Sequence, residues 1–193
     1  DNPFILKKNT SETHFFSRST IETNFELFDY SKIDLQFQNV SNDKYLKTHN
    51  IRSPIITSDG TLISKVEFEG SKDDLEFYID AEMYEDLTKK NESDKYEFVF
   101  PNFNLSKVLD TRLNGSMEIE STGYNKLFET NINEKVIINK LRYKSLNSIN
   151  QIGMINNFEF LFNNFNADSR NSKTLKNRSE NNIAGIFQFN SKL

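Results

Sequence analysis

Residues Ile33 to Asn50 read IDLQFQNVSNDKYLKTHN. Ile33, Leu35 and Phe37 fall on one side of an extended chain and Asp34, Gln36 and Gln38 on the other, because successive strand side chains point to opposite faces. The run therefore predicts a β-strand that is greasy on one face and wet on the other, leading into a polar turn and an aromatic-anchored exit.

The same alternation recurs outward from this stretch. Leu75, Phe77, Ile79, Ala81 and Met83 alternate with Glu76, Tyr78, Asp80 and Glu82, a period of two that again sorts acids from hydrocarbon. Upstream, Phe15 to Leu27 reads as one long strand, with residues 28–31 turning it into an antiparallel neighbour. Residues 41–60 carry Asn42, Asp43, Pro54, Asp59 and Gly60 and read as a long loop with a short strand near Ile55. Downstream, Leu62 to Glu69 alternates, residues 70–74 turn, and residues 85–94 form a polar connection.

In Tyr96 to Leu105 the apolar phase shifts across Pro101, which predicts a bulge. Leu113 to Glu120 and Tyr124 to Ile132 read as two strands flanking a tight turn at Ser121, Thr122 and Gly123. Val136 to Tyr143 and Ile149 to Phe162 follow, then a long exposed loop over 163–182 and a last strand from Ile183. Residues 1–11 read as a connector. The expectation is about ten antiparallel strands and no helix.

Composition narrows the classes. The chain has 193 residues, 36% of them hydrophobic, against roughly 45–50% apolar for ordinary globular chains when glycine is included. With 24 basic and 28 acidic residues it carries a net charge of −4, and no basic block tracks a phosphate backbone, so nucleic acid is not an expected partner. The absence of cysteine removes disulfides, thiolate metal sites and cysteine nucleophiles. No run approaches the roughly 18 apolar residues of a membrane helix, so a membrane role would use strands.

Two all-β architectures fit the alternation. A soluble β-sandwich alternates, and so does a transmembrane barrel, whose apolar residues face lipid and whose polar residues face the lumen. Long strands, acids and Asn crowded on one face, and tight turns alternating with long polar loops favour an antiparallel up-and-down transmembrane β-barrel, present here in part. Phe15, Phe28, Tyr30, Tyr45, Tyr84, Tyr96 and Tyr143 suit interfacial aromatic girdles.

The run FQNVSNDKYLK, Phe37 to Lys47, resembles a strand-end motif of the lipopolysaccharide-assembly outer-membrane family LptD (organic solvent tolerance protein). There a polar-faced strand ends in a Ser-Asp turn followed by an aromatic. The matching positions are Ser41, Asp43, Tyr45 and Leu46, with Asn42 intervening as a departure from the pattern. Tyr84 to Lys107, which contains Pro101, and Asn114 to Asn131 resemble the middle of the barrel in α-proteobacterial members.

The resemblance implies an internal segment of one outer-membrane barrel domain spanning 1–193, in a barrel of about 26 strands. It implies lipopolysaccharide transport and assembly at the outer leaflet of a Gram-negative outer membrane. The partners would be lipopolysaccharide, outer-membrane lipids, an LptE-like plug lipoprotein and a periplasmic LptA-like bridge. A porin or receptor barrel, or a soluble β-rich adhesin module, are the alternatives.

No residue pattern calls for catalysis, a cofactor or a metal. His14 and His49 are the only histidines and read as solvated surface residues. Glu67, Glu69, Glu76, Asp80 and Glu82 share one strand face and read as a hydrated face, as a negative luminal patch or as a cation site. Lys65, Lys126 and Arg142 are the cations expected to offset that charge toward a phosphorylated cargo.

Overall fold

In the computed structural model, which describes residues 12–193 other than 52, 57 and 130, the chain is one antiparallel meander. The strands are β1 (His14–Thr23), β2 (Tyr30–Val40), β3 (Thr61–Lys72), β4 (Leu75–Asp86), β5 (Tyr96–Asp110), β6 (Gly115–Phe128), β7 (Ile132–Ser145), β8 (Ser148–Ile149), β9 (Ile155–Arg170) and β10 (Glu180–Lys192). Each pairs with its neighbour in sequence, except that β7 pairs directly with β9 and the short β8 pairs only with β9. The sheet is open, with β1 and β10 as its edges. All ten strands belong to this one sheet, so a sandwich's second layer is not found among the described residues.

Several expected boundaries move. Gly123 does not turn the chain: β6 runs unbroken from Gly115 to Phe128, and its register to β7 continues through Gly123↔Ile137. Residues 163–170 are not loop but the second half of β9, so the exposed connection shrinks to 171–179. The turn between β3 and β4 shrinks to Asp73 and Asp74. The first strand ends at Thr23, and the connector over residues 1–11 lies outside the described residues.

The bulge at Pro101 is present. The register of β5 shifts between Val99 and Asn102 on its β6 side and between Asp80 and Glu82 on its β4 side. A bulged residue pair re-aims the strand, and proline, lacking an N–H, fits where the ladder is broken.

Residues 41–60 hold α1 (Tyr45–His49) rather than a strand, and α2 (Glu92–Lys95) precedes β5. Both are single turns, too short to be legible as amphipathic periods. The hydrophobic cluster is small and lies here: Tyr45 and Leu46 pack with Leu62 and Leu87, joined by Phe16, Val40, Ile51 and Ile56. No helix is long and apolar enough to cross a membrane among the described residues.

Candidate functional site

Register assigns every strand residue to one of two faces, since directly paired residues of an antiparallel ladder share a face. Thr20, Asp34, Glu67, Asp80, Asn102 and Tyr124 form one such row, and Glu69, Tyr78 and Asn104 continue the same face. The opposite face carries Ile21, Ile33, Phe68, Ile79, Phe103, Gly123 and Ile137 in one row.

Burial on these faces runs opposite to that of a soluble sheet. Asp34, Gln36, Gln38, Glu67, Asp80 and Glu134 are buried, while Phe37, Val66, Phe98, Ile119, Phe160, Phe187 and Phe189 are exposed. Gln38 shows how a buried amide is satisfied: its Nε2 donates to the Ile55 carbonyl at 2.8 Å and its Oε1 accepts from the Ile63 N–H at 2.9 Å.

The charged groups of the polar face are paired within and across strands. Lys32 bridges Asp34 and Glu69, each at 3.1 Å, and Lys65 holds Glu67 at 2.6 Å. Lys126 meets Glu97 at 2.8 Å, Lys140 meets Glu120 at 3.1 Å, and Arg142 reaches Glu118 at 3.6 Å and Glu159 at 3.3 Å. The Tyr78 hydroxyl donates to Asp80, whose same carboxylate oxygen also accepts from Asn102 Nδ2 at 3.2 Å. Tyr84 donates to Glu82 at 2.5 Å.

The structure thus brings Glu67, Glu69, Glu76, Asp80 and Glu82 together on one face of β3 and β4, but in different states. Asp80 is almost fully buried, and its Oδ1 has no hydrogen-bond partner among the described residues. Glu76 is exposed. Lys65, Lys126 and Arg142, expected to offset acid toward a cargo, are each engaged by carboxylates of the sheet itself.

The motif-like residues do not join this face as a unit. Ser41 Oγ accepts from the Thr13 N–H at 2.8 Å, tying the end of β2 to β1. Asp43 pairs with Lys95 at 2.8 Å, Tyr45 hydrogen-bonds His14 Nδ1 at 2.7 Å, and Leu46 is in the small cluster. Pro101 sits apart in β5. His14 and His49 are both exposed, and His49 meets Glu12 at 2.8 Å.

Lys95 was not legible in the sequence as a functional or structural centre, since its partners come from distant segments. It is buried between Asp43 and Glu85, at 2.8 and 2.9 Å. Burial alone would lower its pKa, but the two carboxylates overcome this and hold it well above the ordinary lysine value. Among the described residues no group of three or more His, Cys, Asp or Glu is placed to hold a metal ion.

The apolar band drifts across the sheet. On β4 it is centred near Ile79, with Phe77, Ala81 and Met83; on β9 it is centred on Phe160, with Phe158 and Phe162. The hydrogen-bonded row through Ile79 passes Phe103, Gly123 and Ile137 and reaches β9 at Asn166, not Phe160. The band has therefore moved six residues in four strand steps. At about 3.3 Å per residue and about 4.8 Å per strand, that is about 20 Å against about 19 Å, an angle of about 45°.

No protein-family model matches the chain, and no curated protein matches it in sequence.

Proposed function

We propose that the chain forms part of the wall of a transmembrane β-barrel in a Gram-negative outer membrane, with its apolar face against lipid and its polar face lining a hydrated lumen. The observation that carries this reading is the diagonal apolar band. A band that crosses the hydrogen-bond rows at about 45° is level only if the strands themselves lean by about that angle, and barrel strands in membranes tilt by about 35–45°. The exposed Phe-rich face and the buried, ion-paired polar face support it. Lipid leaves no backbone group unpaired, so the open edges at β1 and β10 require further strands to close the barrel.

Within this reading, the resemblance makes lipopolysaccharide transport and assembly the specific function, with an LptE-like plug and an LptA-like bridge as partners and no enzymatic step. The engaged cations favour a second reading. With Lys65, Lys126 and Arg142 held by carboxylates, a phosphorylated cargo meets a wall with acid to spare and needs divalent cations to pass. A porin or receptor barrel for neutral or cationic solutes has no such requirement.

Folding of the full-length chain in buffer and in phosphatidylcholine vesicles tests the barrel. β-Structure and protease protection that develop only with vesicles are expected; a protected fold in plain buffer removes the proposal. Lipopolysaccharide binding to the vesicle-folded chain, measured with calcium and with EDTA, separates the two functions. Binding in calcium alone supports assembly, and no binding in either leaves the porin or receptor.

A further inference from the structure

The acids on the polar face of β3 and β4 are answered within the sheet, with one exception. Glu67 is held by Lys65, Glu69 by Lys32, Asp80 by Tyr78 and Asn102, and Glu82 by Tyr84. Glu76 has no hydrogen bond or ion pair among the described residues, and neither have the side chains of its row neighbours, Ser71 and Ser106.

Glu76 borders a hollow of about 340 Å³ on this face, whose walls include Tyr30, Glu69, Ser71, Tyr78 and Asn104. Register explains the space. Tyr30, Ser71 and Glu76 form one row across β2, β3 and β4, and Glu69, Tyr78 and Asn104 form the next across β3, β4 and β5. The small Ser71 separates Tyr30 from Glu76, so nothing fills the gap between them. The bond from the Tyr78 hydroxyl to Asp80 fixes the second ring, and the Asn104 amide has no partner among the described residues.

The cations at this end of the sheet lie elsewhere. Lys72 and Lys107 share a row with Leu75, on the apolar face. Lys32 is already shared by Asp34 and Glu69, each at 3.1 Å. Lys140, the cation in the row of Glu76, stands three strands away against Glu120. A carboxylate without a counter-charge, beside two tyrosine rings, is complementary to an organic cation, which gains an ion pair and a cation–π contact together. A planar guanidinium suits it best, since it stacks on a ring and offers a carboxylate two N–H groups at once. Ligand sites begin at about 300 Å³, so the hollow admits one small molecule.

We propose that this hollow is a subsite for a small organic cation of the alkylguanidinium class, held by Glu76 and Asn104 between Tyr30 and Tyr78. The inference rests on the barrel reading, which makes the polar face a hydrated wall, and it narrows the porin or receptor form of that reading to cationic solutes.

Calorimetric titration of the full-length chain folded in phosphatidylcholine vesicles compares butylguanidinium with butylurea, its uncharged isostere. Binding of butylguanidinium and none of butylurea is expected. Glu76→Gln should weaken binding about tenfold, the loss of a hydrogen bond to a charged group, and Tyr30→Leu about threefold, the loss of an exposed cation–π contact. Asp74→Asn, in the adjoining turn, removes a like charge from outside the hollow and should leave binding within about twofold. Equal binding of the two probes, binding of neither, a Glu76→Gln chain that binds as wild type, or equal losses in Glu76→Gln and Asp74→Asn overturns the subsite while the barrel, read by protease protection in vesicles, stands. Chains that never gain that protection overturn the barrel reading and the subsite with it.

Discussion

Gly123 lies directly opposite Phe103, and the Phe103 ring fills the space above it. A β-carbon at Gly123 would stand 2.7 Å from the ring and 2.7 Å from the Val136 carbonyl oxygen. The glycine is there for close approach, an aromatic covering the bare backbone of its cross-strand neighbour. Gly123→Val is expected to destabilise the folded chain by about 1–3 kcal/mol, the usual cost of overpacking, read as a lower urea midpoint in detergent. An unchanged midpoint would mean that the ring does not occupy that space.

That same glycine explains where sequence reading stopped. Alternation around Leu35 and Ile79 fixed the two faces, because each side chain declares its side. Gly123 has none, and between Ser121, Thr122 and Tyr124 it reads as a turn; only its ring partner, twenty residues earlier in the sequence, keeps it in the strand. Asn163, Asn164 and Asn166 disguised the second half of β9 in the same way. Asn is depleted in strands, yet here register to Lys140, Asn139 and Ile137 on β7 holds the segment extended. The acidic face of β3 and β4 was legible as a face, but not which acids are bound: Tyr78, two residues before Asp80, is the donor that sets Asp80 apart from Glu76.

Tyr78 and Asp80 make a contrast between two small substitutions. Tyr78→Phe removes the hydroxyl that donates to a buried carboxylate, leaving Asn102 as that oxygen's remaining donor; about 1–3 kcal/mol of stability should go with it. Asp80→Asn keeps an acceptor for Tyr78 and removes a buried charge from beside Glu67, so it should cost less than Tyr78→Phe. Urea denaturation of the two variants orders them, and the reverse order would place the Asp80 charge, rather than the hydrogen bond, at the centre of this cluster.

Lys95 joins segments that the sheet does not. Its ammonium is shared by Asp43 from the 41–60 segment and Glu85 from β4, and removing it leaves the buried Glu85 carboxylate without that partner. Lys95→Met is expected to cost about 3 kcal/mol. The pKa of Lys95 is raised, so its contribution is fully present below the ordinary lysine value and is lost only as pH climbs past it toward the folded-state value. Between wild type and Lys95→Met, the difference in stability should therefore hold constant from pH 7 to 9 and shrink in strongly alkaline buffer. A difference that already shrinks between pH 7 and 9 would show that the ammonium is not held by the two carboxylates.

In the proposed barrel the tilt of the strands separates hydrogen-bond register from depth, and the absence of tryptophan from the chain makes depth measurable. Ile79→Trp and Phe160→Trp lie six residues apart in register yet both sit at the centre of the apolar band, so lipids brominated deep in the acyl chain should quench them alike. Asn166→Trp shares a hydrogen-bonded row with Ile79 but lies about 14 Å from the band centre at a 45° tilt, near the edge of a belt about 25 Å tall. Lipids brominated near the headgroup should quench it best. Asn104→Trp, on the polar face beside Tyr78, should be reached by aqueous iodide and by neither lipid. Equal depth for Ile79→Trp and Asn166→Trp would mean that rows and bilayer are parallel, and strands standing upright in that way do not build a membrane barrel.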